Sequence, residues 1–540
     1  MNHLFYGDNL DVLHRHVEDE SIDLVYLDPP FKSNQDYNVL FRERNGTKAA
    51  SQILAFEDTW EWNDLTARTC EQIIEAGGKT SDAIRAFRTF LGRTDMMAYL
   101  AMMAPRLIEL RRKLAPTGSI YLHCDPTSSH YLKMLMDAVF GAQNFRNEIV
   151  WQRTNSHNTA NQYGRVHDII LFYAKTDQYR WNEVLTDYSD AQRKRYHQDG
   201  EGRWYTGQDL TAARPNSSSG KFEWRGTMPP PTRGWGYTLK QLEEWWEQGR
   251  ILTKKDGTPR MDGLRVHLDE MPGKRLQSVW TDIHRIPNTS PERLGYPTQK
   301  PEALLERIVL SSSDKNDIVL DPFCGCGTAV EVAEKLNRQW IGIDITHLAI
   351  AIIKHRLQDR FGDSIRERYE VTGEPVSLPD ARALAEENPF QFQCWAAGLV
   401  GARPTEPKRG ADRGVDGRLF FHDDKTGDSK QIVLSVKSGE RLAPAFVRDL
   451  RGVVQREGAQ IGVLITMAKP TREMRKESAS AGFYTSPWGR HPTLQILTVE
   501  ELLNGATVDR PPTREVDATF RRRGKRVGRP PQQMRFPGAS

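Results

Sequence analysis

Two apolar runs in this chain end on an aspartate that a turn follows at once. "DLVYLDPPFKS", residues 23–33, delivers Asp28 into Pro29, Pro30 and Phe31, and "IVLDPFCGCGT", residues 318–328, delivers Asp321 into Pro322, Phe323 and a glycine-bearing turn. Proline lacks an N–H donor and fixes φ, so it ends a strand and stiffens what comes next. In the second run, Gly325 and Gly327 let the backbone approach a ligand, and the helix beyond them presents N–H groups with no intrahelical partner. Asp344 ends the next apolar run, 19 residues after Gly325, about the spacing at which an acid reaches a ribose hydroxyl. The glycines match neither the dinucleotide fingerprint nor the phosphate loop. An acid ahead of them disfavours phosphate and suits a cationic, hydroxyl-rich ligand, a description that S-adenosylmethionine meets. Taken singly, each run is equally an ordinary turn.

The elements that must position these residues are legible around them. "IDLVYL", "GSIYLHC", "DIVL" and "WIGIDI" read as buried parallel strands. Ala329, Val332, Ala333 and Leu336 recur at helical spacing, and "PEALLERIVLSSS" places Leu304, Leu305, Ile308 and Val309 on one helical face with Pro301 at its start. Strands alternating with helices imply an α/β protein with a doubly wound sheet. Residues 1–150 and about 285–365 share this character. The stretch between them is rich in Trp, Arg, Asn, Pro and Gly without sustained periodicity, and reads as an inserted, loop-rich module.

At 540 residues the chain is too long for one core, and its five cysteines are odd in number and scattered, which argues against a disulfide framework. No apolar run approaches a membrane span, and the N-terminus carries Asp8 in place of a basic-then-apolar signal pattern, so a cytoplasmic protein is expected. Net charge is +4, but nine Arg or Lys against two acids from Arg510 onward make that end +7 and leave the first 509 residues at −3. A basic, proline-bearing end on a near-neutral body suggests a polyanionic partner.

"LDPPF" and "LDPFCGCGT" resemble the catalytic and cofactor motifs of amino-group DNA methyltransferases. Their order, catalytic motif first, is that of the permuted β class. "GYPTQKPEALLERIV", residues 295–309, resembles the additional cofactor-binding segment of that class, and "FYGDNLDVL" its short strand and acid. Cys326 departs from the serine frequent in the family. The resemblance spans roughly residues 1–365. It implies a Rossmann-like methyltransferase sheet with Asp28, Pro29, Pro30 and Phe31 as catalytic residues. The cofactor-binding residues it implies are Asp8, Thr298, Gln299, Lys300, Asp321, Pro322, Phe323, Gly325, Gly327, Thr328 and Asp344. An exocyclic amino nitrogen is a weak nucleophile because the ring draws on its lone pair. Asp28 and the Pro29 carbonyl can accept its N–H groups, and Phe31 can stack on a base flipped out of the duplex. The sulfonium is already an activated methyl donor, so transfer calls for no metal. The implied substrate is double-stranded DNA, with adenine N6 preferred to cytosine N4 because an aspartate opens the motif; a homodimer is left open and no membrane partner is implied.

The expected division is a catalytic half over 1–150, a target-recognition module over 151–284 that either reads DNA or only caps the fold, and a cofactor half over 285–370. A linker follows over 371–388. Residues 389–505, with "QIVLSVK" and "IGVLITM", form a second, smaller α/β domain that resembles the Mrr-like restriction endonucleases. In that family an acid and a lysine hold Mg²⁺ and the attacking water, and the matching positions are Asp416 and Lys437. Ser435 and Gln393 stand where carboxylates are usual, which weakens a magnesium site. Two readings stay open: a single-chain restriction–modification protein with Mg²⁺-dependent cleavage, or DNA binding without cleavage. In the tail, 506–540, expected to be disordered, "RRRGKRVGRPPQQ" partly resembles an AT-hook centred on Gly528, Arg529 and Pro530 with Val527 in an arginine's place. It reads equally as a solvated basic tail.

Overall fold

The computed structural model describes residues 1–30, 62–155, 161–186, 196–213, 220–405, 414–421 and 430–511, apart from positions 272, 288, 295, 297 and 488. Phe31 and the tail motif around Gly528, Arg529 and Pro530 lie outside the described residues. The chain divides into two compact units, one formed by Met1–Asn182 and Ser278 onward, the other by Glu183–Gln277.

The first unit is organised by a nine-stranded sheet. Its strands are β1 (Asn2–Tyr6), β2 (Ile22–Leu27), β3 (Leu114–Cys124), β4 (Phe145–Gln152), β5 (His167–Ala174), β6 (Val279–Trp280), β7 (Ile318–Asp321), β8 (Gln339–Asp344) and β9 (Tyr369–Thr372), in the order β6-β4-β5-β3-β2-β7-β8-β1-β9. Only β5 runs against its neighbours, so the other eight strands point the same way. Helices cover both faces, as a parallel sheet requires. That is why β2 reads as a near-continuous apolar run: Ile22, Leu24, Val25 and Leu27 are fully buried. β2 lies between β3 and β7, where the sheet order turns back on itself, and such switch points open crevices at the carboxyl ends of the strands.

The expected strands and the two expected helices are present. The latter are α3 (Glu302–Ser312) and α4 (Thr328–Lys335), which follow α1 (Asn9–His16) and α2 (Asp95–Lys113) in the chain. Two differences have physical reasons. "HDIILFYA", inside the stretch expected to be an insert from 151, is β5 of the main sheet, and six of its eight residues are apolar or aromatic side chains buried there. The separate unit therefore spans only Glu183–Gln277. That unit is also less loop-like than its composition suggests. Leu210, Trp224, Trp235, Leu242, Ile251 and Leu264 form its own core, beside a four-stranded antiparallel sheet that contains Trp204–Gln208 and Pro259–His267. Short strands supplied by tryptophans leave little periodicity to read.

Beyond β9 the expected linker is helical: Leu378–Glu387 starts at a capping box of Ser377 and Asp380. A second sheet follows, with β10 (Arg403–Pro404), β11 (Gly417–Phe421), β12 (Lys430–Lys437), β13 (Ile461–Thr466) and β14 (Leu494–Thr498) in sequential order. Its core includes Phe392, Trp395, Phe421, Leu434 and Ile465. It joins the main sheet through helix α5 (His347–Phe361), whose first N–H, from His347, donates to Gln391 Oε1 of α6 (Pro389–Leu399) at 3.0 Å. The chain stays tied to this domain past the expected boundary at 506, because Asp509 accepts His491 Nδ1 at 2.7 Å and exchanges two hydrogen bonds with Gln495. All five cysteines are buried and none forms a disulfide.

Leu320 is fully buried between β2 and β8. Leu320→Ala is expected to destabilise the main sheet by about 2–5 kcal/mol, read as a lowered urea midpoint with an unchanged slope.

Candidate active site

Four acids meet at the carboxyl edge of the main sheet. Asp8 follows β1, Asp28 follows β2, Asp321 ends β7 and Asp344 ends β8. Register places Asp344 beside Tyr6 and Asp321 beside Gly342, so residues distant in sequence become neighbours through the order of the strands. Burial pushes the Asp321 carboxyl well above its ordinary range; the Phe323 N–H opposes this, and the nearby Asp28 and Asp344 charges add to it. Burial likewise pushes Asp344 up to about 6, against hydrogen bonds from Thr346 and the Gly325 N–H.

The glycine turn is built on these acids. Asp321 Oδ1 accepts the Phe323 N–H at 3.1 Å, and Asp344 Oδ2 accepts the Gly325 N–H at 2.9 Å. Asp344 Oδ1 takes both the N–H and the hydroxyl of Thr346, at 2.9 and 2.8 Å. Gly325 and Gly327 have φ of +51° and +75°. A Cβ on Gly325 would come within 3.2 Å of the Tyr296 ring, and one on Gly327 within 2.6 Å of Ile353 Cγ1. Gly327 caps α4 without a side chain of its own to take up the first N–H groups of that helix. From behind, Arg356 of α5 pairs with Glu331 and donates to the Cys326 carbonyl at 3.2 Å and to Thr328 Oγ1 at 3.0 Å. Both members of this pair are buried, and removing either would leave an uncompensated charge under the turn.

The other predicted residues take distinct places. Asp8 is the N-cap of α1, accepting the Leu10 and Asp11 N–H groups, and its Oδ2 accepts Arg106 of α2 at 2.7 Å. Asn9 donates to the Pro322 carbonyl at 2.9 Å, which ties α1 to the glycine turn. Gln299 braces its own loop, its amide bonding the Leu294 N–H and the Glu292 carbonyl at 2.9 and 2.7 Å. Thr298 has φ of +62°, a strained conformation for a β-branched residue. Lys300 turns its ammonium onto Asp28 Oδ2. Pro29 is buried and Pro30 partly so, directly after β2.

Several residues that the sequence did not single out complete the surroundings. Arg106, Tyr296 and Arg356 are three; only Tyr296 gave a signal, being in the quoted "GYPTQKP". His123, at the end of β3 and next in the sheet to β2, bonds Tyr26 Oη at 3.1 Å through Nδ1 and Asp168 at 3.2 Å through Nε2. Arg153 lies 3.2 Å from the other Asp168 oxygen. Burial pushes the Asp168 carboxyl up, but the His123 hydrogen bond and the His123, Arg153 and Lys300 charges outweigh it and hold the group below its usual range. In the second sheet, Asp416 Oδ2 accepts the Val436 N–H at 2.6 Å and the Ser435 hydroxyl at 3.3 Å. Lys437 Nζ sits 5.5 Å from the centre of the Phe446 ring.

Residues 22–355 match a family model described as DNA methylase. The chain belongs to this DNA methylase family. Residues 391–504 match a second model, described as NACHT-associated inactive restriction endonuclease 1. The chain is 30% identical over 405 residues to the Type II methyltransferase M.EcaI of Enterobacter cloacae, covering 72% of this chain and 78% of that one. It is 27% identical over 351 residues to the Type III restriction-modification enzyme StyLTI Mod subunit of Salmonella typhimurium, covering 62% of this chain and half of that subunit. Among solved structures, PvuII DNA methyltransferase (cytosine-N4-specific) aligns with 68% of the chain at 14% identity and a TM-score of 0.32. No described helix of the methylase is long and apolar enough to cross a membrane.

The glycine turn generates one prediction. Gly327→Ala places a methyl against Ile353 in a conformation alanine resists, and is expected to weaken S-adenosylmethionine binding at least tenfold by calorimetry, with the fold retained by circular dichroism.

Proposed function

We propose that this methylase transfers a methyl group from S-adenosylmethionine to the exocyclic amino nitrogen of a base flipped from double-stranded DNA, with adenine N6 as the acceptor. The observation that carries the reading is the meeting of Asp28 with Asp321, Asp344 and the glycine turn at one sheet edge, although Asp28 and Asp321 stand 293 positions apart in the chain. The acid-rich edge and the close-approach glycines suit a cationic, hydroxyl-bearing cofactor and would repel a phosphate. When bound, the cofactor supplies an electrophilic methyl group on sulfur. Gly325 and Gly327 give it room, Asp344 and Asp8 are its acceptors for ribose and adenine, and Asp321, Pro322, Phe323, Thr328, Thr298 and Gln299 shape the rest of the site. Asp28 and the Pro29 carbonyl accept the base's N–H groups and aim the nitrogen lone pair, with Pro30 keeping the turn stiff and Phe31 as the stacking face. The unit Glu183–Gln277, with its own tryptophan-rich core, is the candidate reader of the target sequence. Asp opening the motif supports adenine over cytosine N4.

For the second sheet we infer a role without DNA cleavage. Asp416 spends an oxygen on the β12 backbone, Ser435 replaces a carboxylate, and the matched family is described as inactive. Mg²⁺ binding by Asp416 and Lys437 is the alternative this reading sets aside.

Five measurements test these readings. Asp28→Ala is expected to lower transfer of labelled methyl groups to DNA at least about a hundredfold, and sequencing of modified bases in DNA from expressing cells is expected to show N6-methyladenine. Transfer by Asp28→Ala at the wild-type rate would sink the mechanism. Asp344 is ionised above about 6, so cofactor affinity should fall as pH drops below that value and the dependence should flatten in Asp344→Asn. Its raised value also means that its charge disfavours folding above pH 6 and that this cost vanishes below the ordinary carboxylate range; wild type should therefore gain stability relative to Asp344→Asn as pH falls from 7 to 4. Unmethylated DNA incubated with Mg²⁺ should stay intact; cutting that Lys437→Ala abolishes would establish the cleaving alternative.

A further inference from the structure

Lys300 belongs by sequence to the segment that enters α3, yet its side chain leaves that segment. Its ammonium pairs with Asp28 Oδ2 across 272 positions of chain, where the lysine side chain is 8% exposed and the acid 17%. Its backbone faces the other way: the Lys300 carbonyl accepts Thr328 Oγ1 at 3.4 Å, in the first turn of α4. Lys300 Nζ also reaches the carbonyl of Thr298, the residue held at φ +62°. One residue thus has its main chain on the glycine turn and its charge on the catalytic turn. Among the described residues no donor pairs with the other Asp28 oxygen, Oδ1.

The charges around it explain why a lysine is wanted there. Asp28, Asp321 and Asp344 crowd one edge, and carboxylates in such company resist ionising together. A hydrogen-bond acceptor for an amino group has to be the ionised acid, since a protonated one presents a competing O–H donor. The Lys300 ammonium supplies Asp28 with a fixed donor on one oxygen and is itself steadied by the Thr298 carbonyl.

We propose that Lys300 is the positioning residue of the catalytic acid: it anchors Asp28 by Oδ2, fixes the orientation of the carboxylate, and leaves Oδ1 for the amino group of the base. This rests on the reading of Asp28 as the acceptor. As the nitrogen bonds to the methyl carbon, the carbon–sulfur bond breaks with its electron pair going to sulfur. The nitrogen is left with one proton too many, and that proton passes to Asp28 Oδ1 and on to water.

The test compares Lys300→Met and Lys300→Arg in the full chain, measuring S-adenosylmethionine and S-adenosylhomocysteine binding by calorimetry and methyl transfer to DNA in a single turnover at saturating cofactor. Lys300→Met is expected to slow transfer at least tenfold while binding S-adenosylmethionine as tightly as wild type or more tightly, because an acidic pocket that has lost a cation favours a sulfonium. The neutral product should show no such gain, and Lys300→Arg should restore most of the rate. Tenfold weaker cofactor binding with an unchanged saturated rate would make Lys300 a cofactor ligand and overturn the proposal. Unchanged binding and rate together would do the same. If Lys300→Met does not fold, Lys300→Gln carries the same comparison with the same two overturning results. Wild-type protein that transfers no methyl group in this assay would defeat the methyltransferase reading itself, a result distinct from either.

Discussion

The crowding of carboxylates at one sheet edge is the constraint from which the rest of the site follows. Parallel strands all deliver their last residues to the same side, so an acid after β1, β2, β7 and β8 becomes a row of four. Burial and the neighbouring charges push the Asp321 carboxyl up, and burial does the same to Asp344. The protein partners each acid differently. Asp8 takes helix N–H groups and Arg106, Asp321 and Asp344 take N–H groups of the turns after them, and Asp28 takes Lys300. An edge so arranged is poised for a positive ligand.

The same hydrogen bonds shape the glycine turn. Gly325 is held by Asp344 and covered by Tyr296, while Gly327 lies against Ile353 of α5. The buried Arg356–Glu331 pair adds two further ties, to Cys326 and Thr328. Cys326, where the family often has serine, fits this packing: it is buried, and Arg356 donates to its carbonyl at 3.2 Å and to its Sγ at 3.6 Å. The helix that bears Ile353 and Arg356 is also the one whose first N–H is capped by Gln391 of the second domain. The glycine turn and the endonuclease-like sheet therefore share a structural support.

In the second sheet, the two positions that match the endonuclease family sit in an altered setting. The acid immediately precedes β11 and the lysine ends the adjacent β12, but the acid is drawn onto the Val436 N–H and also accepts the hydroxyl of Ser435. Magnesium needs several charged oxygens in a set geometry, and a carboxylate spent on its own sheet offers fewer.

The sequence by itself determined the strands, their acids and the two motifs, because an apolar run that ends in Asp-Pro or in glycines has few local conformations open to it. It also determined the reaction class, since "LDPPF" and "LDPFCGCGT" carry a family resemblance that the family match upholds. Local pattern could not show that "HDIILFYA" crosses into the main sheet, or that 183–277 has a core of its own, because strand membership is decided by partners far away in the chain. Nor could it show that Asp344 braces Gly325, that Arg106 holds Asp8, or that Lys300 serves Asp28. Side-chain partners depend on which strand ends are brought together, and only the order of strands in the sheet decides that.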